Sequence, residues 1–145
     1  MKALIQRVKN ASVSIENEIY SKIGFGMLIF LGVEKQDTKE NSEKLAQKLL
    51  SLRIFEDENN KMNKSIEDIS GEILVVSQFT LAGDCKKGTR PSFDKAASPD
   101  EAKKLYEDFV KFISQSGLKT ETGKFQAMMD ISLTNNGPVT FMIEK

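Results

Sequence analysis

The stretch Asn135-Asn136-Gly137-Pro138-Val139-Thr140 lies near the C-terminal end, between apolar runs typical of strands at residues 128–133 and 139–143. Proline removes a backbone donor from a sheet ladder, so Pro138 is expected at an edge, a turn or the start of a strand. Gly137 lacks a Cβ and lets another group approach the backbone closely. Taken alone, these six residues favour a hairpin turn, because Asn, Gly and Pro are common turn residues.

The composition is that of an ordinary globular protein. The chain has 145 residues, of which 39% are apolar and 29% are charged, so we expect residues 1–145 to form one domain with a buried core. Its 21 basic side chains equal its 21 acidic side chains in number. A nucleic-acid partner would therefore have to meet a local basic patch rather than an overall positive field.

Three absences bear on the location of the protein. No apolar run approaches the roughly 20 residues of a membrane span. The first residues lack the pattern of a signal peptide. The single cysteine, Cys85, allows no internal disulfide bond. We therefore expect a cytoplasmic protein with no membrane partner.

The chain also contains no histidine. This excludes Ser-His-Asp and Cys-His nucleophilic groups built within the chain, and it removes the commonest metal ligand. We expect no metal and no other cofactor. Any catalysis would use carboxylates, hydroxyls, backbone dipoles or groups supplied by the substrate.

Alternating and apolar runs predict a sheet in the first third of the chain. Residues 3–8 and 11–15 are expected to be two strands joined by a tight connection at residues 9–10. Residues 18–23 could extend this meander. The near-continuous apolar run 26–33 indicates a central strand that is covered on both faces.

Two helices are expected from their start signals and their periodicity. Residues 38–52 have helical spacing after a capping box with Asp37 as N-cap and Glu40 at the third helical position. The second helix begins with Ser98 as N-cap and Pro99 at the first helical position. Gly117 suits the position after its end.

The remaining segments complete the predicted fold. We expect a short strand at residues 52–55, an exposed loop at 56–64, a strand at 72–81 and a long loop at 82–97. From residue 118 onward the chain returns to strands and ends in the hairpin. The fold class is α+β, with a curved, mostly antiparallel, barrel-like sheet and two main helices packed on one face.

Polar residues lie at the end of the buried strand 72–81, where side chains could face a cleft. Ser77, Gln78 and Thr80 need hydrogen-bond partners there, or a functional reason to be present. The alternative is that Ser77 and Thr80 cap the end of a strand and that Phe79 belongs to the core. Thr80 is a weak nucleophile by itself, because no histidine can act as its base.

The long loop carries a cluster of positive charges. Lys86, Lys87 and Arg90, with Gly88 between them and Pro91 after them, could follow a phosphate backbone. A solvated loop is the alternative. Phe125 and Met129 are more often core residues, although aromatic and methionine faces also hold adenine-like rings.

Motifs spread over nearly the whole chain carry a family resemblance. They are Ile-Gln-Arg-Val at 5–8, Leu-Gly-Val at 31–33, Leu-Arg-Ile-Phe-Glu-Asp at 52–57 with Lys-Met-Asn at 61–63, Gly-Glu-Ile-Leu at 71–74, Ser-Gln-Phe-Thr-Leu at 77–81, Lys-Lys-Gly at 86–88 with Arg-Pro-Ser-Phe at 90–93, and Asn-Gly-Pro-Val-Thr at 136–140. Together they resemble the D-aminoacyl-tRNA deacylase family. The most specific part is the pair of motifs at 77–81 and 136–140, in this order and separation.

The resemblance implies a hydrolase that cleaves the ester between a D-amino acid, or glycine, and the 3′-terminal adenosine of tRNA. It also implies a homodimer in which a cis Gly137–Pro138 bond of one subunit enters the active site of the other. The carbonyl oxygens of Gly137 and Pro138 would exclude an L side chain. Arg7 would hold their geometry, since its five fixed donors suit backbone carbonyls.

The same resemblance places Ser77, Gln78, Phe79 and Thr80 on the other wall of the catalytic pocket. Backbone N–H groups near Phe79 and Thr80 would polarise the ester carbonyl or bind its oxyanion. Because no base is present, Thr80 is expected to orient groups rather than attack. In the family the 2′-hydroxyl of the terminal ribose assists the attacking water.

Phe125 and Met129 fall where the family holds the terminal adenine, and Lys86, Lys87 and Arg90 are expected to contact the tRNA backbone. The family usually has Phe-Gly-Ala where this chain has Phe-Gln-Ala at 125–127, which bears on the shape of the adenine pocket. Two alternatives remain open at this point. One is a non-catalytic module that binds nucleotides or RNA 3′ ends, and the other is a structural dimer in which Gly-Pro only turns a hairpin.

Overall fold

The computed structural model describes residues 1–145. The strands are β1 (Lys2–Ile15), β2 (Glu18–Ile23), β3 (Gly26–Gly32), β4 (Phe55–Glu56), β5 (Met62–Lys64), β6 (Glu72–Ser77), β7 (Thr120–Thr122) and β8 (Asp130–Glu144), and the helices are α1 (Lys39–Leu50) and α2 (Pro99–Ser114). Neither helix combines the length and the apolar character that a membrane crossing requires.

The long strand β1 organises the main sheet. It pairs antiparallel with β8 along one edge and with both β2 and β3 along the other. Parallel pairing then adds β6 to β3 and β7 to β6. The Ser21 hydroxyl in β2 donates to the Thr122 carbonyl in β7, which draws the ends of the curved sheet together. The predicted fold class is confirmed: the sheet is mostly antiparallel and nearly closed, with two helices.

Both faces of the sheet are buried, by different partners. On one face α1 and α2 pack against side chains such as Ile5, Ile29 and Val75. The other face lines the inside of the curved sheet and buries the neighbouring residues Leu28 and Leu74. Adjacent residues of β3 therefore point into two cores, which explains the continuous apolar run in that segment.

The tight connection predicted at residues 9–10 is wrong. β1 is one continuous strand, because both of its halves pair with β8. Lys9 and Asn10 lie exposed within it, at an irregular step in the register. A long strand that bends looks like two short strands in the sequence, because its polar middle interrupts the apolar alternation.

The hairpin predicted at the Gly-Pro pair is also wrong. β8 is a single strand, in which Thr140 pairs with Gln6 and Asn135 pairs with Val8. Residues 136–139 therefore lie opposite Arg7 alone and form a bulge that leaves the ladder and then returns to it. The bulge places Pro138 outside the ladder, so its missing N–H breaks no pairing. The turn prediction rested on the same requirement, that proline must not interrupt a ladder.

The start of α1 also differs from the prediction. Thr38 is the N-cap, and its hydroxyl and the Asn41 side chain form the capping box. The Asp37 carboxylate instead accepts the Glu34 backbone N–H at 2.7 Å. At α2, Ser98 is the N-cap and Pro99 opens the helix, as predicted. Gly117 has a φ of +77°, but it lies one residue further along than predicted, since the C-cap is Gln115.

Three shorter segments also differ from their expectations. The short strand expected at 52–55 begins only at Phe55, and the expected exposed loop 56–64 contains β5, which pairs with β4. The strand expected at 72–81 ends at Ser77 and continues as a short 3₁₀ turn, Phe79–Ala82. This turn sets the positions of Phe79 and Thr80 after the end of β6.

Gly26 provides a direct test of the junction between β3 and β6. A Cβ at Gly26 would overlap the backbone carbonyl of Glu72, whereas a Cβ at Gly24 would meet only the flexible Glu72 side chain, at 3.8 Å. We expect Gly26→Ala to lower the unfolding free energy by about 1–3 kcal/mol or more. Urea denaturation measures the change, and an equal loss in the control Gly24→Ala would contradict the close approach.

Candidate active site

A cavity of about 630 Å³ opens where β6 ends, beside the segment that leads into β8. It brings together five of the predicted site residues: Ser77, Gln78, Phe79, Phe125 and Met129. Most of its lining is apolar, and no ionisable side chain lines it. The cavity therefore offers an apolar surface together with hydroxyl, amide and backbone groups, and no side chain that could act as a general base at neutral pH.

The polar wall of the cavity is formed by Ser77, Gln78 and Phe79, where β6 passes into the 3₁₀ turn. Gly32 in β3 lets this turn lie close, because a Cβ there would come within 3.1 Å of the Gln78 carbonyl oxygen. The N–H groups of Phe79 and Thr80 open the turn and have no hydrogen-bond partner within the chain. The first N–H groups of a helical turn lack internal partners and can bind an anionic oxygen.

Thr80 does not line the cavity; it is exposed beside the opening. Its hydroxyl accepts a hydrogen bond from the Gln78 side-chain amide. This contact ties the side chains of the turn together and gives Thr80 an orienting position. The Phe79 ring is 57% exposed and lies 5.1 Å from the ring of Phe93, measured between centroids.

The apolar wall is held from behind by α2. The ring of Tyr106 lies 5.8 Å from that of Phe125, and the Tyr106 hydroxyl donates to the Val75 carbonyl at 2.9 Å. Burial, with a smaller effect of Tyr20, raises the pKa of Tyr106 far above its ordinary value, so the hydroxyl remains a donor. The Met129 sulfur accepts the Lys124 N–H at 3.3 Å, which fixes the second apolar side chain.

Gln126 is the residue that departs from the family pattern, and it has a φ of +61°. Glycine adopts this left-handed conformation at little cost, whereas other residues adopt it at a steric cost. Gln126 lines the cavity between Phe125 and Ala127. The backbone thus keeps the shape that a glycine would favour and presents an amide side chain at the mouth.

Gly137 and Pro138 do not lie at this cavity of their own chain. They are exposed on β8, next to Arg7, and the peptide bond between them is cis. Going from the bulge to β6 crosses β1 and β3, a distance of three strand spacings of roughly 4.8 Å each. Arg7 pairs with Met27, whereas Ser77 pairs with Leu31 four positions further along β3.

The bulge is held by Arg7, which is only 3% exposed. Its guanidinium donates to the carbonyl oxygens of Asn136 and Ile54, each at 2.9 Å, and to the Glu56 carboxylate at 3.1 Å. One buried side chain thus joins the bulge of β8 to the segment that leads into β4. The family motif predicts a role for Arg7 but none for Glu56, because nothing in the sequence links the two positions.

Asn135 is a second residue for which the sequence indicated no role beyond a turn. Its side chain spans the bulge: the carbonyl oxygen accepts the Val139 N–H at 2.7 Å, and the amide donates to the Val139 carbonyl at 3.2 Å. Its amide also donates to the Thr140 hydroxyl, at 2.9 Å. These contacts replace the ladder bonds that residues 136–139 cannot make with Arg7. An Asn before a Gly-Pro pair suggests only a turn, so the sequence hid this role.

The predicted basic loop lies outside the cavity. Lys86, Lys87 and Arg90 are exposed beyond the bridge between Asp84 and Ser92. The Lys86 backbone N–H, together with nearby lysine charges, holds the pKa of Asp84 below its usual value. The loop therefore keeps an ionised carboxylate at its base while its tip stays cationic.

A family model for D-Tyr-tRNA(Tyr) deacylase matches residues 4–144. The chain belongs to this family. A protein from Thermodesulfovibrio yellowstonii named D-aminoacyl-tRNA deacylase is 57% identical over 143 residues, covering 99% of this chain and 98% of that protein. One of the same name from Thermosipho africanus is 56% identical over 144 residues, covering 99% of this chain and 97% of its own.

Solved structures with the same fold are also found. A structure titled c-Myc DNA Unwinding Element Binding Protein has a TM-score of 0.94 and 40% identity, covering 100% of this chain and 99% of that one. A structure described as a probable eukaryotic D-amino acid tRNA deacylase has a TM-score of 0.88 and 20% identity, covering 98% of this chain and 97% of that one. The second likeness shows the fold alone.

The Arg7 contacts lead to a stability prediction. Arg7→Lys should lower the unfolding free energy by about 2–4 kcal/mol, because a lysine cannot reach three acceptors in fixed directions. Glu56→Gln should cost less than about 1 kcal/mol, since the Glu56 side chain is 48% exposed and its charge is screened. Equal losses in a denaturant titration would contradict the view that the two carbonyl contacts dominate.

For Gln126 we predict that a substitution raises the unfolding free energy, whereas the substitutions at Arg7 and Glu56 lower it. Gln126→Gly should raise the unfolding free energy by about 0.5–1 kcal/mol, because it relieves a left-handed backbone conformation. The control is Gln115→Gly. Gln115 has an ordinary φ of −66° at the end of α2, so glycine there should lower the unfolding free energy. Thermal unfolding of both variants checks this, and a loss of stability in Gln126→Gly would contradict it.

Proposed function

We propose that this protein hydrolyses the ester between a D-amino acid, or glycine, and the 3′-terminal adenosine of tRNA, and so recycles mischarged tRNA. The observation that carries the proposal is the single cavity that joins the Ser77–Phe79 wall to Phe125 and Met129. An aminoacyl-adenosine has one apolar, flat end and one polar ester end. The cavity offers each end a matching surface.

Hydrolysis in this site rests on electrostatic stabilisation. A water oxygen bonds to the ester carbonyl carbon, the bond to the ribose 3′-oxygen breaks, and the products are a free amino acid and a tRNA 3′-hydroxyl. The unpartnered N–H groups of Phe79 and Thr80 would bind the oxyanion that forms. No ionisable side chain lines the cavity, which supports proton transfer through the substrate's own 2′-hydroxyl. Thr80 and Gln78 would orient these groups.

Rejection of L substrates is assigned to a bulge contributed by a second copy of the chain. Gly137 and Pro138 are exposed and lie far from the cavity of their own chain, so they are free to enter the cavity of another subunit. Their carbonyl oxygens would face the substrate α-carbon. An L side chain would meet these oxygens, whereas a D side chain points away from them. Arg7 would keep the carbonyls in place.

A homodimer accords with the surface around the bulge. The strand β8 is 15 residues long, and only one of its edges is paired, with β1. Two large apolar side chains on β8 are exposed, Phe141 at 40% and Met142 at 47%. An unpaired edge with exposed apolar groups is a natural interface between copies of a chain.

Binding of the tRNA beyond its 3′ end is assigned in part to the tip of the basic loop. Lys86, Lys87 and Arg90 are exposed and free to approach phosphates. We place the enzyme in the cytoplasm, where charged tRNA is used. The alternative is a non-catalytic module that binds nucleotides or RNA 3′ ends. The name of a relative at 40% identity, which refers to DNA binding, is the observation that favours it.

Side-by-side deacylation of D-tyrosyl-tRNA and L-tyrosyl-tRNA, after metal chelation, tests the activity. We expect fast loss of the D ester and sparing of the L ester. Gly137→Ala should lose hydrolysis of the D ester, because its Cβ would lie 2.6 Å from a Val139 methyl and 3.2 Å from Arg7 Nη2 and so displace the bulge. Hydrolysis of neither ester by the unaltered protein would favour the binding module.

Mixing two inactive variants tests the contribution of a second subunit. Gly137→Ala alters the bulge, and Ala127→Trp fills the cavity. A mixed dimer contains one site with an unaltered cavity and an unaltered bulge. Random re-pairing of equal amounts should therefore restore about a quarter of the wild-type activity, since half of the dimers are mixed and each has one such site of two.

The mixing experiment has its own controls. Each variant re-paired with itself should stay inactive, and size-exclusion chromatography should show a dimer throughout. No recovery in mixed dimers would place the bulge and the cavity in the same subunit or make the bulge irrelevant. Full activity in either variant alone would remove that residue from the site.

A further inference from the structure

A second open cavity, of about 550 Å³, lies on the other side of Phe125, between α2 and β7. Its surface carries three exposed lysines, Lys103, Lys111 and Lys124, and the aromatic side chain of Tyr20. We call these four residues the lysine patch. The function proposed above assigns no role to it.

The charge of the lysine patch is unbalanced. One carboxylate, Glu107, lines this cavity, and it pairs only loosely with Lys103, at 4.0 Å. Lys111 and Lys124 make no salt bridge. The surface across α2 is different. There three lysines share a cavity with four carboxylates: Lys35, Lys39 and Lys104 with Glu34, Asp37, Glu101 and Asp108. The lysine patch is thus the face of α2 that attracts an anion.

The lysine patch is continuous with the candidate active site. Phe125 and Gln126 line both cavities, so the two are separated by one aromatic ring and one amide side chain. A nucleotide chain whose last base lies against Phe125 must leave the first cavity across the protein surface. Along that path the lysine patch provides cations on α2 and on the loop after β7, together with the ring of Tyr20, which is 53% exposed.

Tyr20 is suited to stacking. It belongs to β2 and lines the same cavity as Tyr106. The rings of Tyr106 and Phe125 pack together, with their centroids 5.8 Å apart. An exposed aromatic ring beside cationic side chains is the usual combination for single-stranded nucleic acid, because bases stack and phosphates pair with lysines.

We propose that the lysine patch binds the single-stranded RNA immediately before the terminal adenosine, with its three lysines on phosphates and Tyr20 under a base. The inference rests on the proposed function, because the RNA enters from the adenosine site. The lysine patch would be a second RNA-binding surface, separate from the loop that carries Lys86, Lys87 and Arg90. Gln126 lies where the two cavities meet and is placed to contact the nucleotide that joins them.

The test compares a full substrate with a truncated one. The triple variant Lys103→Ala/Lys111→Ala/Lys124→Ala is assayed on D-tyrosyl-tRNA and on 3′-D-tyrosyl-adenosine, which ends before the patch. Lys104→Ala is the matched control, since it lies next to Lys103 on α2 but lines the other cavity. All four positions are exposed, so the substitutions leave the core intact.

We expect the triple variant to lower kcat/KM on D-tyrosyl-tRNA at least about tenfold at low salt, mainly through KM. The slope of log kcat/KM against log salt should become shallower by about 2, because each lysine–phosphate contact on a single strand contributes roughly 0.7. Hydrolysis of 3′-D-tyrosyl-adenosine should be unchanged. Lys104→Ala should match the wild type on both substrates.

Three other results would overturn the inference. An unchanged salt slope in the triple variant, or an equal effect of Lys104→Ala, would remove the patch from RNA binding. An equal loss on the truncated substrate would make the lysines part of the ester site. Binding of uncharged tRNA, measured by fluorescence anisotropy, separates this failure from failure of the proposed function. If the wild type hydrolyses neither substrate but binds tRNA more tightly than the triple variant does, hydrolysis is refuted and the role of the lysine patch in RNA binding is retained.

Discussion

The buried guanidinium of Arg7 is the contact on which the functional part of this structure depends. Its bonds to the Asn136 and Ile54 carbonyls join the bulge of β8 to the segment that leads into β4. A bulge in an exposed strand would otherwise be a flexible defect, since its residues have lost their ladder partners. The charged donors of Arg7 on one side and the amide of Asn135 on the other give the bulge one defined shape.

The separation of the bulge from the cavity accounts for the rest of the proposed mechanism. The cavity has a polar wall and an apolar wall but no ionisable side chain. Such a site can bind an ester and stabilise an oxyanion, and by itself it has little means of telling a D from an L α-carbon. The carbonyls of the exposed residues Gly137 and Pro138 would supply that means only if a second subunit brought them. Selectivity and chemistry would therefore reside on different chains, and both would be carried by backbone carbonyl and N–H groups.

Much of the fold follows from local patterns. The apolar run of β3, the start of α2 at Ser98 and the α+β class could all be predicted from periodicity and capping signals. The bulge could not, because its turn-like composition hides a long strand whose pairing partner lies at the other end of the chain. The Ser77 and Phe125 walls were predicted through family motifs. Glu56 and Asn135 were missed, because their roles arise from tertiary contacts that no short pattern encodes.

A crystal structure with a non-hydrolysable D-aminoacyl-adenosine amide would test the central claim most directly. The account predicts that the Gly137 and Pro138 carbonyl oxygens of one subunit lie within about 3.6 Å of the ligand α-carbon bound in the other. The adenine should lie against Phe125, and Arg7 should keep its contact with the Asn136 carbonyl. A ligand bound in the same cavity with both bulges facing solvent would contradict the account.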